Sequence, residues 1–190
     1  MTHHTSDYFR AHQEVVSASI DALAPAAEAA GRALVSALAT GNKVICFGNG
    51  GSSSQASHMA GELTGRFSKS RLPLPALSLS ADAGTVTCIS NDFGYDAVFE
   101  RQVEAFTQNG DIALALTTSG KSPNVLRALK AAKARGAVTI ALTGKAGLAG
   151  ADADHLLAVP SDITAHIQEV HLMLLHLWCI EIDRAFEPTA

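Results

Sequence analysis

The chain has 190 residues, 47% of them hydrophobic, which suits one globular domain with a sizeable core and argues against disorder. Its 14 Lys and Arg stand against 18 Asp and Glu, a net charge of −4. That balance argues against a nucleic-acid surface, so affinity for an anion must be local. The three cysteines, Cys46, Cys88 and Cys179, match no metal or redox spacing. No signal peptide opens the chain and no run of about 18 apolar residues crosses it, which predicts a reduced cytoplasmic protein with no membrane span. His3 and His4 are too few to read as a tag.

From about Ser6 to Ala39 the chain reads as an Ala-rich helix, broken near Pro25, that precedes the first strand instead of joining two strands. Such a segment is expected to pack on another surface. From Lys43 onward the pattern alternates: strand 43–47, helix 54–64, strand near 76–79, helical segments about 82–90 and 95–106, strand 112–116, helix 123–135, strand 138–142, a short strand near 155–159 and a final helix from about 163 to 185. The alternation predicts an α/β fold, a doubly wound parallel sheet flanked by helices, with ligands at the carboxyl ends of the strands.

Two polar loops sit at such ends. Gly48-Asn49-Gly50-Gly51-Ser52-Ser53-Ser54 follows the run Val44 to Phe47, and Thr117-Thr118-Ser119-Gly120-Lys121-Ser122 follows Ile112 to Leu116. A strand, a small-residue turn and a helix start bring backbone N–H groups and hydroxyls to the positive end of a helix, where a phosphate can accept from all of them. The first loop lacks the third glycine of a dinucleotide fingerprint and the Gly-Lys-Ser/Thr ending of a P-loop, so both nucleotide motifs are excluded. In the second, Ser122 reads as an N-cap with Pro123 at the first helical position, which leaves Thr117, Thr118 and Ser119 without a structural explanation.

His58 and Glu62 are four apart on the helix that the first loop opens, one turn apart on one face and suited to a shared cation. Gln168, Glu169, His171 and His176 form a second set on the last helix. Imidazole, carboxylate and amide oxygen suit a borderline cation such as zinc. Spacing alone pairs Gln168 with His171, because Gln168 and His176 are separated by roughly 12 Å of axial rise.

Taken together, Gly48-Asn-Gly-Gly-Ser, His58-Met-Ala-Gly-Glu62-Leu-Thr-Gly-Arg66-Phe, Asn91-Asp92-Phe-Gly-Tyr, Thr118-Ser-Gly-Lys-Ser122 and Ile167-Gln168-Glu-Val-His171 with His176 closely resemble the phosphoheptose isomerases of the sugar isomerase (SIS) superfamily. The resemblance runs from about residue 7 to 185, with five motifs in order. It implies one SIS domain over residues 1–190, a flavodoxin-like three-layer sandwich, with the segment at about 6–39 serving oligomerisation. It further implies that Asn49, Gly50 and Gly51 bind substrate, that Thr117, Thr118, Ser119 and Ser122 hold the phosphate, and that Asn91 and Asp92 face the sugar. Glu62 and Gln168 would also touch substrate. The implied metal site is one zinc per subunit on His58, Glu62, Gln168 and His176, which makes His171 a neighbour instead of a ligand. Thr117 stands where Ser is frequent, and the stretch between Thr143 and His155 is short, a departure that is expected to touch no motif.

The implied activity is interconversion of sedoheptulose 7-phosphate and D-glycero-D-manno-heptose 7-phosphate, the first step toward ADP- or GDP-activated heptose for surface glycans such as lipopolysaccharide. The chemistry needs a proton moved between C1 and C2 through an enediol. Glu62 is the candidate base and His176 the candidate acid, with zinc polarising the carbonyl. The resemblance also implies a cytoplasmic homotetramer with active sites between subunits and no nucleic-acid or membrane partner. The competing reading is a non-catalytic SIS domain, a sugar-phosphate sensor or a protein that binds the replication initiator. A carboxylate at Glu62 and an imidazole at His176 are groups that binding alone does not need. An isomerase for another ketose phosphate is a third reading.

Overall fold

All five strands run in one direction: β1 (Val44–Gly48), β2 (Ala76–Ser78), β3 (Ile112–Thr117), β4 (Val138–Gly144) and β5 (His155–Val159), in the spatial order β2-β1-β3-β4-β5. The computed structural model describes residues 4 to 187, so His3 lies outside the described residues. Six helices complete the fold: α1 (His4–Ala39), α2 (Gly51–Thr64), α3 (Ala83–Phe93), α4 (Val98–Phe106), α5 (Pro123–Ala134) and α6 (Thr164–Ala185).

The central strands β1 and β3 are buried along their whole length and almost entirely apolar because helices cover both faces, whereas the edge strands β2 and β5 are only partly buried. Cys46, Ile112, Leu114, Leu116, Ile140 and Leu142 point to the face that carries α1, α2 and α6. Ile45, Phe47, Ala113, Ala115 and Ala141 point to the face that carries α4 and α5. The expected three-layer α/β sandwich is therefore present, and each predicted element appears within a few residues of its expected bounds.

Two expectations need correction. Pro25 does not break the first helix, which runs unbroken for 36 residues. Pro25 is exposed, so the carbonyl that its ring leaves unpaired faces solvent, while Leu23, Ala27, Ala30 and Leu34 hold the helix to the core on the other side. That packing gives α1 an internal use which its position before the first strand did not suggest. Trp178 on α6, fully buried, donates from Nε1 to the Ala27 carbonyl at 2.9 Å. The second correction is at α2, which starts at Gly51 instead of residue 54. Gly50 has φ +56°, a conformation that favours glycine, so the chain turns directly from strand to helix and Ser52, Ser53 and Ser54 fall in the first helical turn.

Candidate active site

The sheet reverses its strand order between β1 and β3, which are neighbours although the chain visits β2 between them. Ligands in open α/β sheets bind at the carboxyl ends of strands at such a switch point. Here a cavity of about 190 Å³ opens, lined by Asn49 and Ser52 from the first loop and by Thr117, Thr118, Ser119 and Ser122 from the second. Thr164 and Gln168 of α6 close its third side.

Three helices thus begin at the rim of one cavity. Ser52 lies in the first turn of α2, Ser122 is the N-cap of α5, and Thr164 opens α6. Neither Ser122 nor the N-cap of α6, Ile163, closes its helix with a side-chain hydrogen bond. Ser122 occupies the expected cap position, yet its hydroxyl is left for another acceptor or donor. The lining holds no charged side chain, so an anion would be held by amide N–H groups, hydroxyls and helix dipoles.

Asn49 is locked in place by a reciprocal amide pair: its Nδ2 donates to Asn124 Oδ1, and Asn124 Nδ2 donates back to Asn49 Oδ1, both at 2.9 Å. The Tyr95 hydroxyl donates to the same Asn49 oxygen at 2.9 Å. Asn124 and Thr164 escaped the sequence reading, since nothing local separates a Pro-Asn helix start or a threonine at a helix end from structural residues. Gly51 packs against Gln168 so closely that a Cβ there would stand 2.6 Å from its Nε2. The short stretch after β4 does touch a motif, contrary to expectation. Ala149 N–H donates to the Gly120 carbonyl at 2.9 Å, Gly144 N–H donates to the Thr118 carbonyl at 3.2 Å, and Gly120 has φ +64° with Gly147 pressed against the place of a Cβ. Asn91 and Asp92 pair with each other on exposed α3, Asn91 Nδ2 donating to Asp92 Oδ1 at 2.8 Å, and neither lines the cavity.

Further along the same side of α2, three of the residues singled out for metal binding meet. His58 Nε2 stands 3.2 Å from His176 Nε2 and 3.3 Å from Glu62 Oε1. A single ring hydrogen on His58 cannot serve both neighbours well, whereas a cation accepts a lone pair from each, so the donor set fits a borderline metal such as zinc. Gln168 does not join this trio within one chain. Its side chain lies at the cavity against Gly51, two turns before His176 on α6. His171, which spacing favoured as its partner, is fully buried and faces the Thr143 carbonyl from Nε2 at 3.2 Å. Among the described residues, the group of three whose ligand atoms all lie within 4.8 Å of one another is a different one, His12, His166 and Glu169.

The SIS domain family matches residues 7–144 of the chain. The phosphoheptose isomerase of Thiobacillus denitrificans is 46% identical over 180 residues, covering 93% of this chain and 91% of its own length. The chain belongs to the phosphoheptose isomerase family. Among solved structures, a phosphoheptose isomerase from Francisella tularensis superposes with a TM-score of 0.90 at 37% identity, covering 97% of this chain and all of the other. That from Neisseria gonorrhoeae gives 0.86 at 36% identity, over 95% of this chain and 97% of the other. As a member of the phosphoheptose isomerase family, the chain is an aldose–ketose isomerase built on an SIS domain.

Proposed function

We propose that the chain interconverts sedoheptulose 7-phosphate and D-glycero-D-manno-heptose 7-phosphate, with the cavity at the switch point as phosphate cradle and Glu62 and His176 as proton carriers. One observation carries the reading: an uncharged cradle ringed by three helix starts lies on the same face of α2 as a carboxylate and two imidazoles. From Gly51 to His58 the helix rises by about 10 Å. That separation suits a substrate whose phosphate stands at the opposite end of its carbon chain from the reacting C1 and C2, and it favours a heptose 7-phosphate over shorter ketose phosphates.

In the ketose-to-aldose direction, Glu62 removes a proton from C1 while His176 donates one to the C2 oxygen, giving the enediol. His176 then recovers a proton from the C1 oxygen, and Glu62 returns its proton to C2. The Oε1 atom of Glu62 faces His58, which leaves Oε2 as the oxygen that carries the proton. One zinc per subunit, held by His58, Glu62 and His176, would supply Lewis-acid polarisation of the carbonyl. Gln168, which the resemblance adds to that set, would reach it only from a neighbouring subunit.

A homotetramer in the cytoplasm completes the reading. It is supported by an open apolar groove of about 340 Å³ between α1 and α6, where Ile20 and Met173 are exposed. A neighbouring subunit would also bring Asn91 and Asp92 to a cradle that they do not line within their own chain. The three cysteines are unpaired, as a reducing compartment requires. Among the described residues, no helix is long and apolar enough to cross a membrane. Incubating zinc-loaded protein with sedoheptulose 7-phosphate and following the aldose should show conversion in both directions. Binding without turnover would instead favour the sugar-phosphate sensor.

A further inference from the structure

Where α1 crosses the first two turns of α6, two imidazoles and a carboxylate converge away from the groups that the proposed chemistry uses. His12 Nδ1 stands 3.0 Å and His166 Nδ1 3.1 Å from the same oxygen of Glu169, Oε2. The other carboxylate oxygen, Oε1, accepts from the Tyr8 hydroxyl at 2.6 Å. The ring of His12 lies over that of His166, centroids 5.3 Å apart and planes within 25°, and the Tyr8 ring also packs against His166, with centroids 4.7 Å apart. The side chain of His166 is almost wholly buried, at 3% exposure.

We infer that His12, His166 and Glu169 form a second divalent-cation site, of the zinc class, that staples α1 to α6. Four features point the same way. The three ligand atoms lie within 4.8 Å of one another, and each imidazole nitrogen is 3.0 or 3.1 Å from the carboxylate oxygen, close to the roughly 3.3 Å between two ligands of a tetrahedral ion with bonds near 2 Å. His12 Nδ1 is buried without a hydrogen bond, although Glu169 is close by, because the carboxylate oxygen is badly placed for an N–H donor. A lone pair at that nitrogen has no use there except toward a cation. Tyr8 holds the carboxylate by its outer oxygen, the orienting contact that metal-bound carboxylates commonly have. Finally, two neutral imidazoles and one carboxylate form a donor set that selects zinc or cobalt over calcium or magnesium.

The site is independent of the His58, Glu62 and His176 group, since the two share no ligand. Its placement gives it a consequence. Glu169 adjoins Gln168, whose side chain lines the phosphate cavity, so an ion here fixes the first turns of α6 against the N-terminal helix. The ion acts as a fastening and takes no part in proton transfer.

Chelator-treated, buffer-exchanged full-length protein should be titrated with Zn²⁺, and with Co²⁺ as a coloured probe, reading equivalents bound per chain by elemental analysis and cobalt absorption. The wild-type chain should take up two equivalents. His12→Phe keeps the stacked ring, removes the ligand and changes a residue at the outer edge of the core; it should take up one. His176→Phe should also take up one, and the pair together none. A wild-type chain that binds a single equivalent, lost in His176→Phe and retained in His12→Phe, overturns this inference and leaves the catalytic reading intact. The reverse pattern upholds the inference and removes the proposed catalytic zinc. Should His12→Phe fail to fold, Glu169→Ala with circular dichroism as a check serves as the second variant, and full retention of both equivalents in it would also overturn the site.

Discussion

Lys121 is the one cation within the second loop, yet its side chain does not line the cavity beside it. In the proposed reading, phosphate recognition falls on hydroxyls and N–H groups, each contributing about 1–3 kcal/mol as a hydrogen bond to a charged group. Ser119→Ala and Ser122→Ala should each raise KM by about 5- to 150-fold with kcat little changed, as steady-state kinetics would reveal. Greater damage from Lys121→Ala than from either would mean that the cradle works by net charge. His171 makes a prediction of a different kind. Burial pushes its imidazole down to about 4, outweighing the opposing effect of the Thr143 carbonyl. The unfolded chain takes up that proton near pH 6.5. Stability conferred by the neutral form is complete above about pH 6.5 and is lost as pH falls toward 4, by about 3 kcal/mol across the window. Urea unfolding at pH 7 and pH 4.5 should show this loss, and a smaller one in His171→Gln; equal losses in both proteins would assign the acid sensitivity elsewhere. At this scale the sequence marked the second loop by its run of hydroxyls, which do line the cavity, although it did not show that Thr117 and Ser119 also accept the N–H groups of Gly120 and Lys121, each at 3.2 Å. The place of His171 was not legible, because helix spacing fixes which residues share a face but not which of them the core covers.

The helix that carries His58 and Glu62 is fastened at its end by a buried ion pair. Arg71 donates from Nη2 to the Glu62 carbonyl at 2.7 Å and from Nη1 to the Leu63 carbonyl at 2.9 Å, so it caps the last turn of α2. Its Nε pairs with Asp183 Oδ1 of α6 at 2.9 Å, and both side chains are at most 2% exposed. Asp183 also accepts the N–H groups of Ser68 and Lys69. Deleting one partner strands a buried charge, so Asp183→Ala should cost about 3–5 kcal/mol in chemical denaturation. A loss below about 1 kcal/mol would mean that water reaches Arg71 and that the pair does not brace the site. At the second loop, Gly120→Ala should abolish sugar-phosphate binding, because both its positive φ and the pressure of Gly147 forbid a Cβ; unimpaired binding in calorimetry would refute the tight closure. The order and type of elements were readable because each strand is a short apolar run bounded by turn residues. The course of α1 through Pro25 and the closure of the stretch after β4 over Gly120 were not, since both depend on contacts between distant elements.

For the whole molecule, the doubly wound order was legible from the alternation of strands and helices, whereas the double role of α1 was not. Residues Leu23, Ala27, Ala30 and Leu34 bury it in the core, so deleting α1 would test folding as much as assembly. Its opposite side offers a cleaner test of the proposed tetramer. Ile20→Asp combined with Met173→Asp places charges in the open α1–α6 groove without entering the core, and it should lower both the mass in light scattering and the activity at least tenfold. An unchanged mass, or a smaller assembly with full activity, would rule out active sites completed by that groove. The proposed proton transfer through Glu62 would unite the cradle, the trio and the assembly in one reaction, and running the isomerisation in D₂O tests it most directly. Wild-type protein should place deuterium from solvent at C2 of the aldose product, as read by NMR, while Glu62→Gln should bind sugar phosphate with little loss and give neither product nor exchange. Product free of deuterium after prolonged equilibration, or a Glu62→Gln enzyme that exchanges at the wild-type rate, would contradict it.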